Sequence, residues 1–317
     1  MAQHRLDYGV ESLHGSFDRD QEAALVVASG DSVRLSTLDG DWLTGPDHSP
    51  ARLSGDTWPH RRPQRDGGHA LCGPIAVQEA APGSVLEVRI DEVIPATWGW
   101  SRVGGRNVEH DVLLGVDEGE ELYLHWSLDR ELGTARSDLG HVVEMRPFMG
   151  VLGMPADVPG LQSTHPPRRT GGNIDCKELT AGTSLFLPVE VAGGLLSIGD
   201  GHAAQGDGEV GSTAIECPMD VVDVTLTVHR DLELTTPIAR TPTEWLVFGF
   251  SEDLKSATYS ALNGMADLVQ RLFRVGRKEA LAMCSPAADL RITQIVNGVC
   301  GVHAALPHFS VTKGNPE

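Results

Sequence analysis

The chain has no run of about 18 to 20 apolar residues, the length needed to cross a bilayer as a helix, and its start, Met1 to Asp7, is polar with no hydrophobic segment behind it. Neither a spanning helix nor a secretory signal is expected, which points to the cytoplasm. Cysteine is scarce: the five residues Cys72, Cys176, Cys217, Cys284 and Cys300 are odd in number, far apart and contain no CxxC pair. Neither a disulfide framework nor a thiolate zinc site is therefore indicated. Basic residues are outnumbered by acidic ones, 25 to 44, for a formal charge of -19. A field of that sign repels phosphate backbones and anionic headgroups, so nucleic acid and membrane surfaces are poor partners, and neutral or cationic ligands are easier to accommodate. Internal repeats and low-complexity segments are absent too, and the Pro/Arg-rich piece from Trp58 to Arg65 reads as a surface loop.

What the sequence does have is short strands. Leu86, Val88 and Ile90 alternate with Glu87, Arg89 and Asp91, and Val222, Val224, Leu226 and Val228 alternate with polar neighbours, each the pattern of a half-buried strand. Shorter apolar runs at Ala24 to Val27, His141 to Met145, Leu185 to Val189, Leu195 to Ile198 and Trp245 to Phe250 read the same way. With 36 glycines and 19 prolines between them and no regular alternation with helices, the expected fold is mainly β, a β-sandwich or jelly-roll-like core with a smaller C-terminal helical portion. One helix is predicted from about Glu252 to Phe273, where Leu254, Ala257, Ala261, Met265, Leu268 and Leu272 recur at three- and four-residue spacing. A second covers Arg277 to Cys284, ahead of Pro286. A division into a core of residues 1–240 and a strand with a helical hairpin at 241–317 follows. The hairpin resembles a DNA-reading helix pair in outline, but the acidic charge argues against that use.

Chemistry concentrates in Ser197-Ile-Gly-Asp-Gly-His-Ala-Ala-Gln-Gly-Asp-Gly-Glu-Val210, where an apolar strand runs into a glycine-rich loop carrying Asp200, His202, Gln205, Asp207 and Glu209. Glycines let the backbone turn sharply, and imidazole with carboxylate is an ordinary ligand set for a catalytic divalent ion. Asp200 and His202, two apart, share a face if the backbone is extended. Further clusters are Thr170-Gly-Gly-Asn-Ile-Asp-Cys-Lys177, Val143-Glu144-Met145-Arg146-Pro147-Phe148, and His69 ahead of Gly73-Pro74. Taken singly, such loops are more often turns, and Glu144 with Arg146 could be a surface pair. His125, His229 and His303 sit in or beside strand patterns and read as structural histidines.

GPIAVQEAAPG at Gly73 to Gly83, RPFMGVLG at Arg146 to Gly153, HPPRRTGGNIDCKEL at His165 to Leu179, LPVEVAGGLLSIGDGHAAQGDGEV at Leu187 to Val210 and DLRITQIVNGVCGVHAALP at Asp289 to Pro307 together resemble the acetamidase/formamidase family. The likeness runs from about Leu13 to Pro307, departing where Ser84 replaces a usual aspartate and where His69-Ala-Leu-Cys replaces His-Pro-x-Thr. It implies a β-sandwich, a divalent metal, hydrolysis of formamide, acetamide or a related short amide, and a homo-oligomer. On this basis we expect a metal on Asp200 and His202, completed by Asp175 and Glu216, with Glu209 a close alternative to the last two. Zinc suits the mixed donor set, although calcium or manganese would tolerate a carboxylate-rich version. Glu144 is expected to move the proton from water to the departing nitrogen if burial raises its pKa, and Asn173, Gln205 and His69 to contact the small amide. Two rivals remain. A Cys176 nucleophile has Lys177 and Glu178 as neighbours in sequence, whereas nitrilase-type amidases bring such groups from separate strands; G-x-S-x-G is absent. A non-catalytic sandwich could also bind calcium or a sugar through the Asp200 loop.

Overall fold

The computed structural model describes residues 1–46 and 57–311, so the last six residues of the expected C-terminal portion lie outside it. The described chain is mainly β, as the alternating patterns imply. Its largest sheet has nine strands, in the order Gln3–Leu6, Ser32–Thr37, Met219–His229, Val85–Pro95, Ser184–Pro188, Ile238–Arg240, Glu244–Ser251, Cys300–Pro307, Asp289–Gln294. At its centre Val85–Pro95 runs antiparallel to Met219–His229, with Val88 opposite Leu226 and Ile90 opposite Val224, and antiparallel to Ser184–Pro188, with Val88 opposite Leu185. The apolar set of each strand thus lands on one face.

That face packs on a six-stranded sheet, in which Leu196–His202 lies between Phe148–Gly153 and Leu71–Val77. Leu86, Val88, Ile90, Val224 and Leu226 from the first sheet and Cys72, Ile75, Met149, Leu152 and Ile198 from the second share one buried cluster. Each large side chain buried this way contributes about 1.5–3 kcal/mol. A four-stranded antiparallel sheet, Val142–Glu144, Thr134–Ser137, Leu122–Asp129 and Trp98–Val103, joins this assembly. Its link is Glu216, whose backbone bridges Trp100 on one side and His202 on the other.

The helices Leu254–Phe273 and Arg277–Ala287 cover the opposite face of the nine-stranded sheet at its C-terminal end. Strand alternation explains how one strand serves both layers: Leu246 and Phe248 enter the sandwich core, while Val247 joins the cluster of Ala257, Ala261, Met265 and Val269. Asp253 caps the first helix, its carboxylate accepting from the Ser256 amide at 2.7 Å. The second helix runs past Cys284 to Ala287 and includes Pro286. Only Ala287 follows Pro286, so the ladder hydrogen bond that proline cannot donate is lost at the end of the helix. The six-residue helix Glu109–Leu114, too short to show a periodic pattern, was not expected.

Gly249 sets how closely the long helix approaches the sheet. A Cβ at this position would fall 2.2 Å from the Ala257 carbonyl oxygen and 2.4 Å from the Ala261 nitrogen, both backbone atoms that cannot rotate away. Gly249→Ala is expected to lower stability by about 3 kcal/mol, the upper part of the usual overpacking range. Gly67→Ala, where nothing lies within 4 Å, is the control. Equal urea midpoints for the two variants would show that the helix is not held at this distance.

His14 is a second test of the packing. It is fully buried; its Nδ1 lies 2.7 Å from the Ser16 carbonyl oxygen and its Nε2 3.0 Å from Ser197 Oγ. Burial drives its pKa down to about 4. In the unfolded chain the ring takes a proton near pH 6.5, while the folded ring stays neutral until about pH 4. The unfolded state therefore gains protons first, and stability falls as pH drops through this window, by about 3 kcal/mol in all. Urea titrations at pH 7 and 4.5 should show a smaller loss in His14→Gln than in the parent; equal losses would refute the assignment.

Candidate active site

The strand Leu196–His202 does not end at the apolar residues: Asp200, Gly201 and His202 are still strand, paired with the Phe148–Gly153 strand so that Phe148 faces His202 and Val151 faces Gly199. The expected loop therefore begins only after His202, and the metal-ligand candidates stand on the sheet. Asp200 holds a left-handed backbone at φ 60, as do Asp175 at 51 and Glu209 at 48. Non-glycine residues held there are strained, and such strain gathers at functional sites.

Five ionisable side chains meet at this point. Asp175, Asp200 and His202 form one group of possible ligands and His202, Glu209 and Glu216 another, sharing the imidazole. All five are buried, from 1% exposed for Asp175 and His202 to 6% for Glu209 and Glu216. His202 Nε2 lies 3.1 Å from Glu216 Oε2 and 3.6 Å from Asp200 Oδ2, and its Nδ1 lies 4.0 Å from Asp175 Oδ1. Glu216 is oriented by the Ala214 amide, which donates to Oε1 at 2.9 Å. Asp175 is held at both ends: Asn297 Nδ2 donates to Oδ2 at 2.5 Å and Gln205 Nε2 donates to its carbonyl oxygen at 2.8 Å.

Glycine makes room for the cluster. A Cβ on Gly150 would sit 2.6 Å from Asp175 Oδ1, 2.7 Å from Asp200 Oδ2 and 2.9 Å from His202 Cε1, and one on Gly40 would sit 2.3 Å from Asp200 Oδ1. The carboxylates thus converge on a space that only glycine leaves open.

The charges within it are out of balance. Burial pushes the Asp175 carboxyl up to about 7 against the pull of His202, and burial together with Asp175 holds Glu209 well above the ordinary carboxylate range. Glu216 is likewise raised, chiefly by burial. Burial also works against ionised Asp200, but His69, His202 and its hydrogen bonds prevail and leave it below the usual range. Burial opposes the charged form of His202 as well, yet Glu216 and Asp200 raise it well above its ordinary value. One imidazole is therefore the main compensation for four carboxyl groups, and Asp175 Oδ1, His202 Nδ1 and Glu209 Oε2 are buried with no hydrogen-bond partner. Groups of this kind normally find one. A divalent cation fits the donor chemistry, the unpartnered atoms and the glycine-lined space.

The cluster opens on a cavity of about 200 Å³ whose lining includes Asn173, His69, His165, Trp100, Arg102 and Asn297. Both guanidinium groups are compensated: Arg102 is 3.7 Å from Asp41, and Arg106, also in the lining, is 3.3 Å from Asp111 and hydrogen-bonded to Ser212. His69 Nδ1 lies 2.9 Å from Thr164 Oγ1, and its ring meets His165 edge-on. Asn173 Oδ1 is buried without a partner. A more apolar groove of similar volume, lined by Phe186, Leu232, Leu234, Ile238, Trp245 and Leu268 among others, has no carboxyl, imidazole or hydroxyl group in its lining. It carries none of this chemistry.

Glu144 is placed elsewhere. It ends the strand Val142–Glu144, every residue of which is exposed, and it lines an outer groove that Gln205 and Glu209 share. The burial on which its expected role rests is missing. Gln205 spends its amide nitrogen on Asp175. Asn297, His165, Arg102 and Gly40 were not singled out from the sequence, although Asn297, in Val296-Asn297-Gly298, and His165, at the start of His165 to Leu179, lay within the family-like segments.

Residues 3–163 and 158–308 match the model of the acetamidase/formamidase family. The chain belongs to that family. As a member of the acetamidase/formamidase family it is a hydrolase acting on amide C–N bonds. An acetamidase of Mycolicibacterium smegmatis is 31% identical over 199 residues, a stretch covering 45% of this chain and 49% of that one. Two solved structures share the fold over nearly the full length. One, from the thermophile Thermoanaerobacter tengcongensis and described as a predicted acetamidase/formamidase, has a TM-score of 0.84 at 25% identity, covering 98% of this chain and 97% of that one. The other, an acetamidase of Bacillus halodurans, has a TM-score of 0.82 at 26% identity, covering 96% and 97%. Among the described residues no helix is long and apolar enough to cross a membrane.

Proposed function

We propose that the protein is a metal-dependent amidohydrolase that cuts short aliphatic amides such as formamide or acetamide to a carboxylate and ammonia. The observation that carries this reading is the convergence of Asp175, Asp200, Glu209 and Glu216 on His202 around the space left by Gly150 and Gly40. Asp175, Asp200, His202 and Glu216 would hold the ion, with zinc the best match to an imidazole among carboxylates. When bound, such an ion supplies Lewis-acid polarisation of the amide carbonyl and makes water more acidic.

The protein's own groups do the rest. Glu209 reaches both the inner cavity and the outer groove, and its Oε2 is free to accept a proton from the attacking water. Its raised pKa favours uptake of that proton, which then passes to the nitrogen so that it departs as neutral ammonia and not as a strongly basic amide anion. We therefore assign proton transfer to Glu209 in place of Glu144. Asn173 offers a side-chain amide to the substrate, and His69 with His165 walls the cavity. At about 200 Å³ the cavity falls below the range of drug-sized pockets, about 300–1,000 Å³. With Arg102 and Arg106 already paired, it favours a small neutral ligand. A homo-oligomer is part of the proposal, and light scattering on the purified protein tests it.

The deciding experiment measures ammonia release from formamide, acetamide, propionamide, urea and a short carbamate, before and after chelation and with single metals added back. Activity on a short amide, lost on chelation and restored by one metal, is the expected result. Activity that survives exhaustive chelation would overturn the metal dependence, and silence on every amide would overturn the substrate class.

A further inference from the structure

A second cluster lies outside the amide cavity and has no part in the reaction. Cys176 Sγ is 3.2 Å from Glu178 Oε2, His303 Nε2 is 3.8 Å from the same oxygen, and the three donor atoms lie within 4.8 Å of one another. None of the three residues lines the cavity. His303 is 0% exposed and Cys176 1%. A thiol hydrogen bond to Glu178 accounts for two members of the cluster but leaves the third unexplained, because His303 Nε2 is buried with no partner. Its Nδ1 is engaged by Thr293 Oγ1 at 2.8 Å, which fixes the ring with Nε2 aimed at the carboxylate and the thiol. Orienting a ligating imidazole through its other nitrogen is the usual support for a metal.

We propose that Cys176, Glu178 and His303 form a second, structural site for a borderline-soft divalent cation of the zinc class. For metal bonds of about 2.0 Å to nitrogen or oxygen and about 2.3 Å to sulfur, a tetrahedron has edges of about 3.3–3.5 Å. The sulfur–oxygen distance of 3.2 Å falls about 0.3 Å short of its edge and the nitrogen–oxygen distance of 3.8 Å exceeds its own by about 0.5 Å. Binding forms the sulfur–metal bond as the thiol proton leaves to solvent, so thiolate and carboxylate together balance the dication. Lys177 and Arg291 are held mainly by other carboxylates, Asp207 at 2.9 Å and Glu244 at 2.7 Å, and reach only the far Glu178 oxygen, Oε1, at 4.0 and 3.9 Å, while Oε2 faces Cys176 and His303. Burial keeps the His303 pKa down at about 4, which leaves the ring neutral and able to ligate at physiological pH. Of the three residues, Glu178 alone also lines a neighbouring cavity of about 380 Å³, with Arg146, Thr180 and Arg291. The ion would tie the segment just after Asp175 to the strand Cys300–Pro307, next to Asn297, which already hydrogen-bonds Asp175.

Cobalt(II) tests this independently of amide hydrolysis. The full-length protein is stripped of metal under reducing conditions, reloaded with cobalt, and examined for thiolate-to-cobalt charge-transfer absorption in the near ultraviolet. The Asp200 cluster contains no sulfur donor, so such a band reports on Cys176. The expected result is a band in the parent and in Asp200→Asn, no band in Cys176→Ser, and an unchanged band in Cys300→Ser. Cobalt binding at the site should weaken at least tenfold in His303→Gln, which also serves if Cys176→Ser does not fold. A reloaded parent protein without the band overturns the site, as does a band that persists in Cys176→Ser or binding that is unaltered in His303→Gln.

Discussion

Asp200→Asn is expected to reduce kcat/KM for amide hydrolysis by about 10³-fold or more while leaving the fold intact. Asparagine preserves the size of the side chain, so the space beneath Gly150 and Gly40 stays filled and the Phe148–Gly153 pairing is undisturbed. What is lost is a negative charge 3.6 Å from His202 Nε2, at a carboxyl group held below the usual pKa range and so ionised throughout the working pH. Metal polarisation is worth several kcal/mol of transition-state stabilisation, and each 1.36 kcal/mol is tenfold in rate. The measurement pairs steady-state ammonia release with metal content by mass spectrometry and circular dichroism. A folded variant that keeps its metal and parental turnover would remove Asp200 from the site.

Glu209→Gln is expected to lower kcat by about 10²–10⁴-fold, the usual contribution of a positioned acid–base group, with little change in KM. The amide retains the shape of the carboxyl but can no longer accept a proton from water and pass it on. Its neighbours are already placed by other bonds, Glu216 by the Ala214 amide and Asp175 by Asn297, so the cluster should persist. Glu144→Gln, on an exposed strand, should stay within about twofold of the parent. If instead Glu144→Gln loses activity and Glu209→Gln keeps it, the sequence-based assignment is restored and the burial argument fails.

Much of the sheet was legible in the chain because alternation is a local property. Leu86, Val88 and Ile90 each point inward whatever strand lies beside them, so the pattern needs no knowledge of partners. The long helix was legible for the same reason at its own period, since Ala257, Ala261, Met265 and Leu268 form one buried stripe. Local signals misled where length ran out. Val142–Glu144 has an apolar pattern but is a three-residue strand at the edge of the four-stranded sheet, and among the described residues it is left exposed. Burial of Glu144 could not be judged from its neighbours in sequence.

The amino-acid sequence determined which segments could become strands and helices, that Asp200 and His202 would stand close together, and which family the chain resembles, because spacing and motif are written along the chain. Tertiary structure alone decided that Glu216 reaches His202 from a bridge to Trp100, that Asn297 reaches Asp175 across 122 residues, and that Gly40 and Gly150 leave the space between them. These depend on strand register between segments far apart in sequence, and on the burial that register imposes. Burial is what separates Glu209 from Glu144, two glutamates that the sequence alone could not rank.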